Sequence, residues 1–248
     1  MLADMVAPGN RLVDVGCDHG YLSIYLVREG VCPGALAMDI RKGPLACAEE
    51  HIMESGLGDY IEVRLSDGLA AYAEGEAETM VCAGMGGRLM EKILTDSMEK
   101  ARRLQELILQ PQSELQEFRA FLRKAGFTVV KENAVCEEGK YYFAMKAVPD
   151  SAVDCAIMKT SGRTAAKRQM IEKKTSEKES MGQLYDRFGE LLLKERHPVL
   201  LEFLLQRQTY VEQLRKSLAV QDSKKAEGRC AELDGETAVI KEALSFYA

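Results

Sequence analysis

Acidic residues and glycines recur in this chain at the ends of short apolar runs, and its chemistry is concentrated there. The run Leu12-Val13-Asp14-Val15 leads into Gly16-Cys17-Asp18-His19-Gly20. Asp39 closes Ala35-Leu36-Ala37-Met38 and precedes Ile40, and Asp67-Gly68 follows the run Ile61–Leu65. Glycines at 16 and 20 let the backbone approach a nucleotide-like ligand that a β-carbon would hold off. A plain phosphate cradle would not carry the carboxylate of Asp18, so a pyrophosphate fits this turn poorly. A carboxylate at Asp39 can accept both ribose hydroxyls of an adenosyl ligand. One at Asp67 can take the adenine amino group, with Gly68 making room. Each residue has an ordinary alternative: Asp14–Gly20 is a strand-turn-helix corner with polar caps, Asp39 a helix N-cap, and Asp67-Gly68 a turn. Three acids ending three successive runs are harder to explain that way.

Gly84-Met85-Gly86-Gly87 follows the run Thr79–Ala83. Three glycines in four positions require close backbone approach or positive φ, whereas a tight turn would need one. Met85 can pack against a flat ring. Gln110-Pro111-Gln112 ends a further run, and its amides can bond a base edge, although Pro111 can equally start a helix. His51 and His197 read as structural or solvated. Of Tyr141 and Tyr142, one can reach the site by stacking, with core packing as the alternative.

These residues need a frame. Strands are expected at 11–15, 35–39, 61–65, 79–83 and 106–110, with helices at 20–29, 43–55, 87–94 and 113–125 between them. Such alternation gives a parallel sheet with helices on both faces and strand ends along one rim. Runs 127–136 and 140–148 are joined by Glu137-Glu138-Gly139, too short for a helix, so they form a hairpin. An antiparallel last strand marks a Rossmann-like methyltransferase sheet and tells against a nicotinamide enzyme. Past residue 150 the chain is polar to about 182. Helices are then expected from Leu184, over 199–219, and again after the polar turn Gln221–Gly228. The domains read as 1–149, binding the ligand, and 150–248, a helical hairpin or coiled coil.

Composition narrows the class. Of 248 residues, 46% are hydrophobic, and no apolar stretch reaches the roughly 20 residues a membrane span needs. No signal peptide is evident at the N-terminus. Seven scattered cysteines without a C-x-x-C read as reduced thiols of a cytoplasmic protein, with no disulfide framework and no metal site. Residues 1–150 hold 16 basic and 24 acidic side chains (−8), and 151–248 hold 17 and 15 (+2). Lys159, Arg163, Lys167, Arg168, Lys173 and Lys174 face only Glu172 within 159–174. This is either a footprint for nucleic acid or a solvated helix face.

Taken together, DVGCDHGYL (Asp14–Leu22), Asp39–Ala46, SDGL (66–69), AGMGG (83–87), ILQP (108–111) and EEGKYY (137–142) resemble the bacterial tRNA adenine-22 N1-methyltransferase family. FGELLLKERHPVLLEFL extends the likeness into the second domain. The resemblance implies S-adenosylmethionine as cofactor and N1 of an adenine in the tRNA D-arm as target. It implies that Gly16, Asp39 and Asp67 hold the cofactor, with Asp14, Cys17, Ile40, Gly68 and Ala83 beside them. Asp18, His19 and Gly84–Gly87 would form the methyl-transfer centre. Gln110, Pro111, Gln112 and Tyr142, with Arg163, Lys167 and Arg168, would meet the RNA. Asp18 is the expected carboxylate near the methyl donor, and His19 orients the loop or accepts a proton. The family usually begins with a further helix ahead of this chain's Leu2, and the chain departs from it in Gln112 where Asn is common, in Phe143 where an acid is frequent, and in a longer 150–182 segment. A monomer acting on tRNA, without membrane or metal, is expected. The competing readings are a methyltransferase for a different substrate and a non-catalytic RNA-binding protein on the same scaffold.

Overall fold

A computed structural model describes residues 1–152, 175–218 and 224–248. Seven strands, β1 (Leu12–Val15), β2 (Ala35–Asp39), β3 (Ile61–Leu65), β4 (Thr79–Met85), β5 (Glu106–Pro111), β6 (Phe127–Glu137) and β7 (Lys140–Pro149), form one sheet in the order β3-β2-β1-β4-β5-β7-β6. β1 to β5 are parallel, and β7 runs antiparallel to β5, with Leu109 opposite Met145. The expected parallel sheet with an antiparallel last strand is therefore present.

Helices α1 (Tyr21–Arg28), α2 (Lys42–Glu54), α3 (Gly87–Asp96), α4 (Met98–Arg103) and α5 (Leu115–Lys124) connect the strands. β1, β2 and β5 are buried along their whole length, as strands covered on both faces must be. Side chains alternate between two cores. Val13, Val15, Met80 and Leu107 pack with Phe118 and Leu122 on one face, and Leu12, Ala35, Val81 and Ile108 pack with Ile24 and Ile52 on the other. The short polar helix α4 has no counterpart among the expected elements, because MEKARR carries no apolar periodicity.

The chain divides into two compact units, Met1–Asn133 with the segment from Phe143, and Ala134–Tyr142 with the C-terminal helices. The hairpin tip thus groups with the helices, not with the sheet domain that was expected to run to 149. In the second unit α6 (Thr175–Phe188), α7 (Glu190–Lys194), α8 (Pro198–Leu218) and α9 (Lys224–Leu244) follow in order. α8 and α9 lie antiparallel. Arg207 pairs with Glu236 at 2.7 Å and, further along α8, Arg215 pairs with the earlier residue Asp234 at 2.5 Å. Leu200, Leu204 and Val211 of α8 are buried, as are Leu233 and Ile240 of α9. α9 starts at Lys224, inside the stretch expected to be a turn, since Lys, Ala and Glu favour helix there. Tyr141 of the hairpin tip donates to Glu202 at 2.9 Å and meets the Phe203 ring edge-on. Burial first, then Glu202, pushes its phenol up to about 12.

Candidate active site

The site lies where β1, β2, β3 and β4 end. β1 and β2 stop beside each other, with Val15 in register with Met38. The N–H groups of Gly16 and Cys17 then both donate to the Met38 carbonyl, at 2.8 and 2.9 Å. This bend requires left-handed backbone at Gly16 (φ 75) and Gly20 (φ 75), and holds the non-glycine Asp18 at φ 50. Asp18 is exposed at the crest of the turn.

Asp14 and Asp39 are buried. Ser23 of α1 donates to Oδ2 of Asp14 at 2.8 Å. Burial raises the Asp14 carboxyl to about 6, Ser23 opposes that shift and the nearby Asp39 charge adds to it. The Arg41 N–H donates to Oδ1 of Asp39 at 2.8 Å, an Asx turn that leads the chain into α2. The Cys17 thiol is pushed up to about 12, first by burial and then by Asp14, Asp39 and Asp18. Asp67 is exposed on the same rim, and the Ser66 N–H beside it donates to the Asp39 carbonyl at 3.0 Å.

The β4 end closes the other side. A register shift between Ala83 and Met85 marks a bulge at Gly84, whose φ is 76. The Met85 methyl lies 1.9 Å from where a β-carbon on Gly16 would sit, so the two glycine turns abut. Gly87 is required for a different reason. A β-carbon there would lie 2.6 Å from the Ser113 carbonyl oxygen, and its N–H donates to that oxygen at 3.2 Å.

Several expectations need correction. Gln110 is buried and its Oε1 accepts from the Gly84 N–H at 2.8 Å, so this oxygen shapes the glycine turn. Pro111 is buried as the last residue of β5 and does not start a helix, since α5 begins at Leu115. Gly68 makes room for Ile93, which would lie 2.9 Å from a β-carbon there, so its smallness serves packing. Gln112 is exposed, with Nε2 3.9 Å from the β-carbon position of Gly84. Tyr142 belongs to the hairpin tip of the helical unit. Arg163, Lys167 and Arg168 lie outside the described residues.

His19 and His51 were read differently, yet they belong together. Nδ1 of His51 is 3.1 Å from the His19 carbonyl oxygen, and Tyr21 stacks on His51 with centroids 4.9 Å apart. His19 Nε2 lies 3.8 Å from Oδ2 of Asp18, and its Nδ1 is buried without a hydrogen-bond partner. Arg41 was missed. Its Nη2 is 3.6 Å from Oδ1 of Asp18 and its Nε is 3.5 Å from Oδ1 of Asp39. The sequence signal was a cation two residues after the acid that ends β2. Ser23, a hydroxyl within Leu22-Ser23-Ile24, was also missed.

A cationic adenosyl ligand fits this donor set. Asp14 and Asp39 are buried beside the turn that carries the exposed Asp18, Arg41 lies between Asp18 and Asp39, and Ile40 next to Asp39 is exposed. Among the described residues no cluster of His, Cys, Asp or Glu could hold a metal ion, and no helix is long and apolar enough to cross a membrane.

The family described as Methyltransferase domain matches residues 1–145. The tRNA (adenine(22)-N(1))-methyltransferase of Bacillus subtilis is 36% identical over 146 residues, 59% of this chain and 61% of that protein. The chain thus spans about three-fifths of the length of the curated relatives it matches. Among solved structures, the candidate tRNA (m1A22) methyltransferase Sp1610 of Streptococcus pneumoniae superposes with a TM-score of 0.78 at 32% identity, covering 98% of this chain and 96% of that one. The same protein in complex with S-adenosyl-L-methionine gives a TM-score of 0.75 at 30% identity, covering 98% and 96%. The chain belongs to the methyltransferase domain family, within its tRNA (m1A22) methyltransferase branch.

Proposed function

We propose that the protein transfers a methyl group from S-adenosylmethionine to N1 of adenine 22 in tRNA. The observation that carries this reading is the left-handed Gly16–Gly20 turn at the end of β1, with Arg41 linking its Asp18 to Asp39 and the Gly84–Gly87 turn abutting it through Met85. The S-adenosylmethionine-bound Sp1610 structure supports the choice of cofactor. The cofactor supplies an electrophilic methyl group on a sulfonium centre.

The chain's own residues bind and orient. Asp39 accepts the ribose hydroxyls, and Ile40 and Asp67 contact the adenine ring, with the Gly16–Cys17 backbone and Ala83 beside them. The N1 lone pair attacks without first losing a proton, so positioning and electrostatics matter more than a strong base. Asp18 faces the positive charge that develops on the target ring. His19, whose Nδ1 has no hydrogen-bond partner among the described residues, is assigned to hold the turn or to take the exocyclic proton. The target adenine leaves its stack to enter against Met85. Gln112, exposed beside Gly84, meets the base edge.

Phosphate contacts are assigned to Arg163, Lys167 and Arg168, because the acidic sheet domain repels RNA. Tyr142 of the hairpin tip is assigned to the RNA as well. The protein is taken to act as a cytoplasmic monomer, which sedimentation with and without tRNA will check. Incubating unmodified bulk tRNA with labelled cofactor and mapping the product tests the whole assignment. N1-methyladenosine at position 22 is expected, and label elsewhere or none would overturn it.

A further inference from the structure

Arg41 is the cation that the described residues set between two acids of the site. Its backbone N–H and its Nε both address Oδ1 of Asp39, at 2.8 and 3.5 Å, while Nη2 lies 3.6 Å from Oδ1 of Asp18. The side-chain contacts are longer than a good charge-assisted hydrogen bond, which runs about 2.7–2.9 Å. The Arg41 side chain is 66% exposed, and its five N–H donors exceed what the two long carboxylate contacts use. It stands on the rim immediately after the exposed Ile40, in a domain whose first 150 residues carry a net −8 (16 basic, 24 acidic). An approaching polyanion would meet that field with few cations to answer it.

Resting on the reading above, we infer that Arg41 is a positioning residue that exchanges Asp18 for a phosphate of the bound RNA, freeing that carboxylate for the target base. A guanidinium suits this role. Its planar fork can keep one edge on Asp39 while the other turns from a carboxylate to a phosphate. The loosely held contact to Asp18 is the one expected to yield. A solvent-exposed ion pair of this kind holds its partner weakly enough for a phosphate to displace it.

The test measures tRNA binding by the full chain as a function of salt, for wild type, Arg41→Ala and Arg41→Lys, with calorimetric titration of S-adenosylmethionine alongside. Arg41→Ala should flatten the slope of log K against log salt by about one and weaken tRNA binding about tenfold. Its affinity for S-adenosylmethionine should stay within about threefold of wild type. Arg41→Lys should restore the salt slope yet leave kcat low, because a point charge cannot serve both acids at once. An unchanged slope in Arg41→Ala, or a loss confined to S-adenosylmethionine binding, would overturn the inference. If the wild type itself shows no tRNA binding, the functional reading fails, and that outcome is distinct from failure of the Arg41 assignment.

Discussion

Oε1 of Gln110, at the end of β5, accepts a 2.8 Å hydrogen bond from the N–H of Gly84, at the bulge of β4. The left-handed bend of Gly84 is thus held from a neighbouring strand. Replacing Gln110 by Ala strands this N–H and should cost about 1–3 kcal/mol of stability. Turnover should fall about tenfold, with cofactor affinity nearly unchanged, since the loss falls on the glycine turn and spares the acids. Thermal melts and single-turnover assays check both halves, and equal losses in affinity and rate would contradict the assignment.

The buried Asp14 makes stability depend on pH. Burial keeps its proton to about 6, against 3.8 in the unfolded chain. Below about pH 4 both states are protonated and the group is neutral to stability. As pH rises from 4 to 6 the unfolded chain ionises first, so stability falls, by on the order of 3 kcal/mol in total. Asp14→Asn should remove that slope. Urea titrations at pH 4, 5, 6 and 7 on both proteins measure it.

Asp18 and Asp39 should separate chemistry from binding. Asp18→Asn keeps a side chain that tolerates the φ of 50 and should abolish turnover with the melt unchanged. Near-normal rates would remove Asp18 from the mechanism. Asp39→Asn should weaken S-adenosylmethionine by about tenfold or more, the scale of a lost charged hydrogen bond. Calorimetry reads this directly.

Glutamate at Arg163, Lys167 and Arg168 together should abolish tRNA binding at moderate salt while leaving cofactor affinity within about twofold. Retained tRNA binding would place the phosphate contacts elsewhere.

The frame was legible because its signals are periodic. Runs 35–39 and 61–65 coincide with β2 and β3, and the short Glu137-Glu138-Gly139 link marked the hairpin. The acids were legible because a carboxylate ending an apolar run has few reasons to be there. What stayed hidden depends on contacts between distant segments. Nothing local to Gln110 says that its amide serves Gly84. Nothing in SDGL says that Gly68 yields to Ile93 on a helix two elements later. Nothing local to Arg41 shows that Asp18 lies 3.6 Å away.

Gly87 has no room for a β-carbon because the backbone at Ser113 already occupies it. Gly87→Ala should therefore unseat both turns at once, costing about 1–3 kcal/mol and most of the activity. Denaturant melts and turnover assays on this variant measure the two losses.

The same contact has a wider consequence. Two stretches that lie far apart in the gene behave as one mechanical part, so a substitution in either is inherited by the other. Attempts to retune what the protein modifies will have to redraw both together.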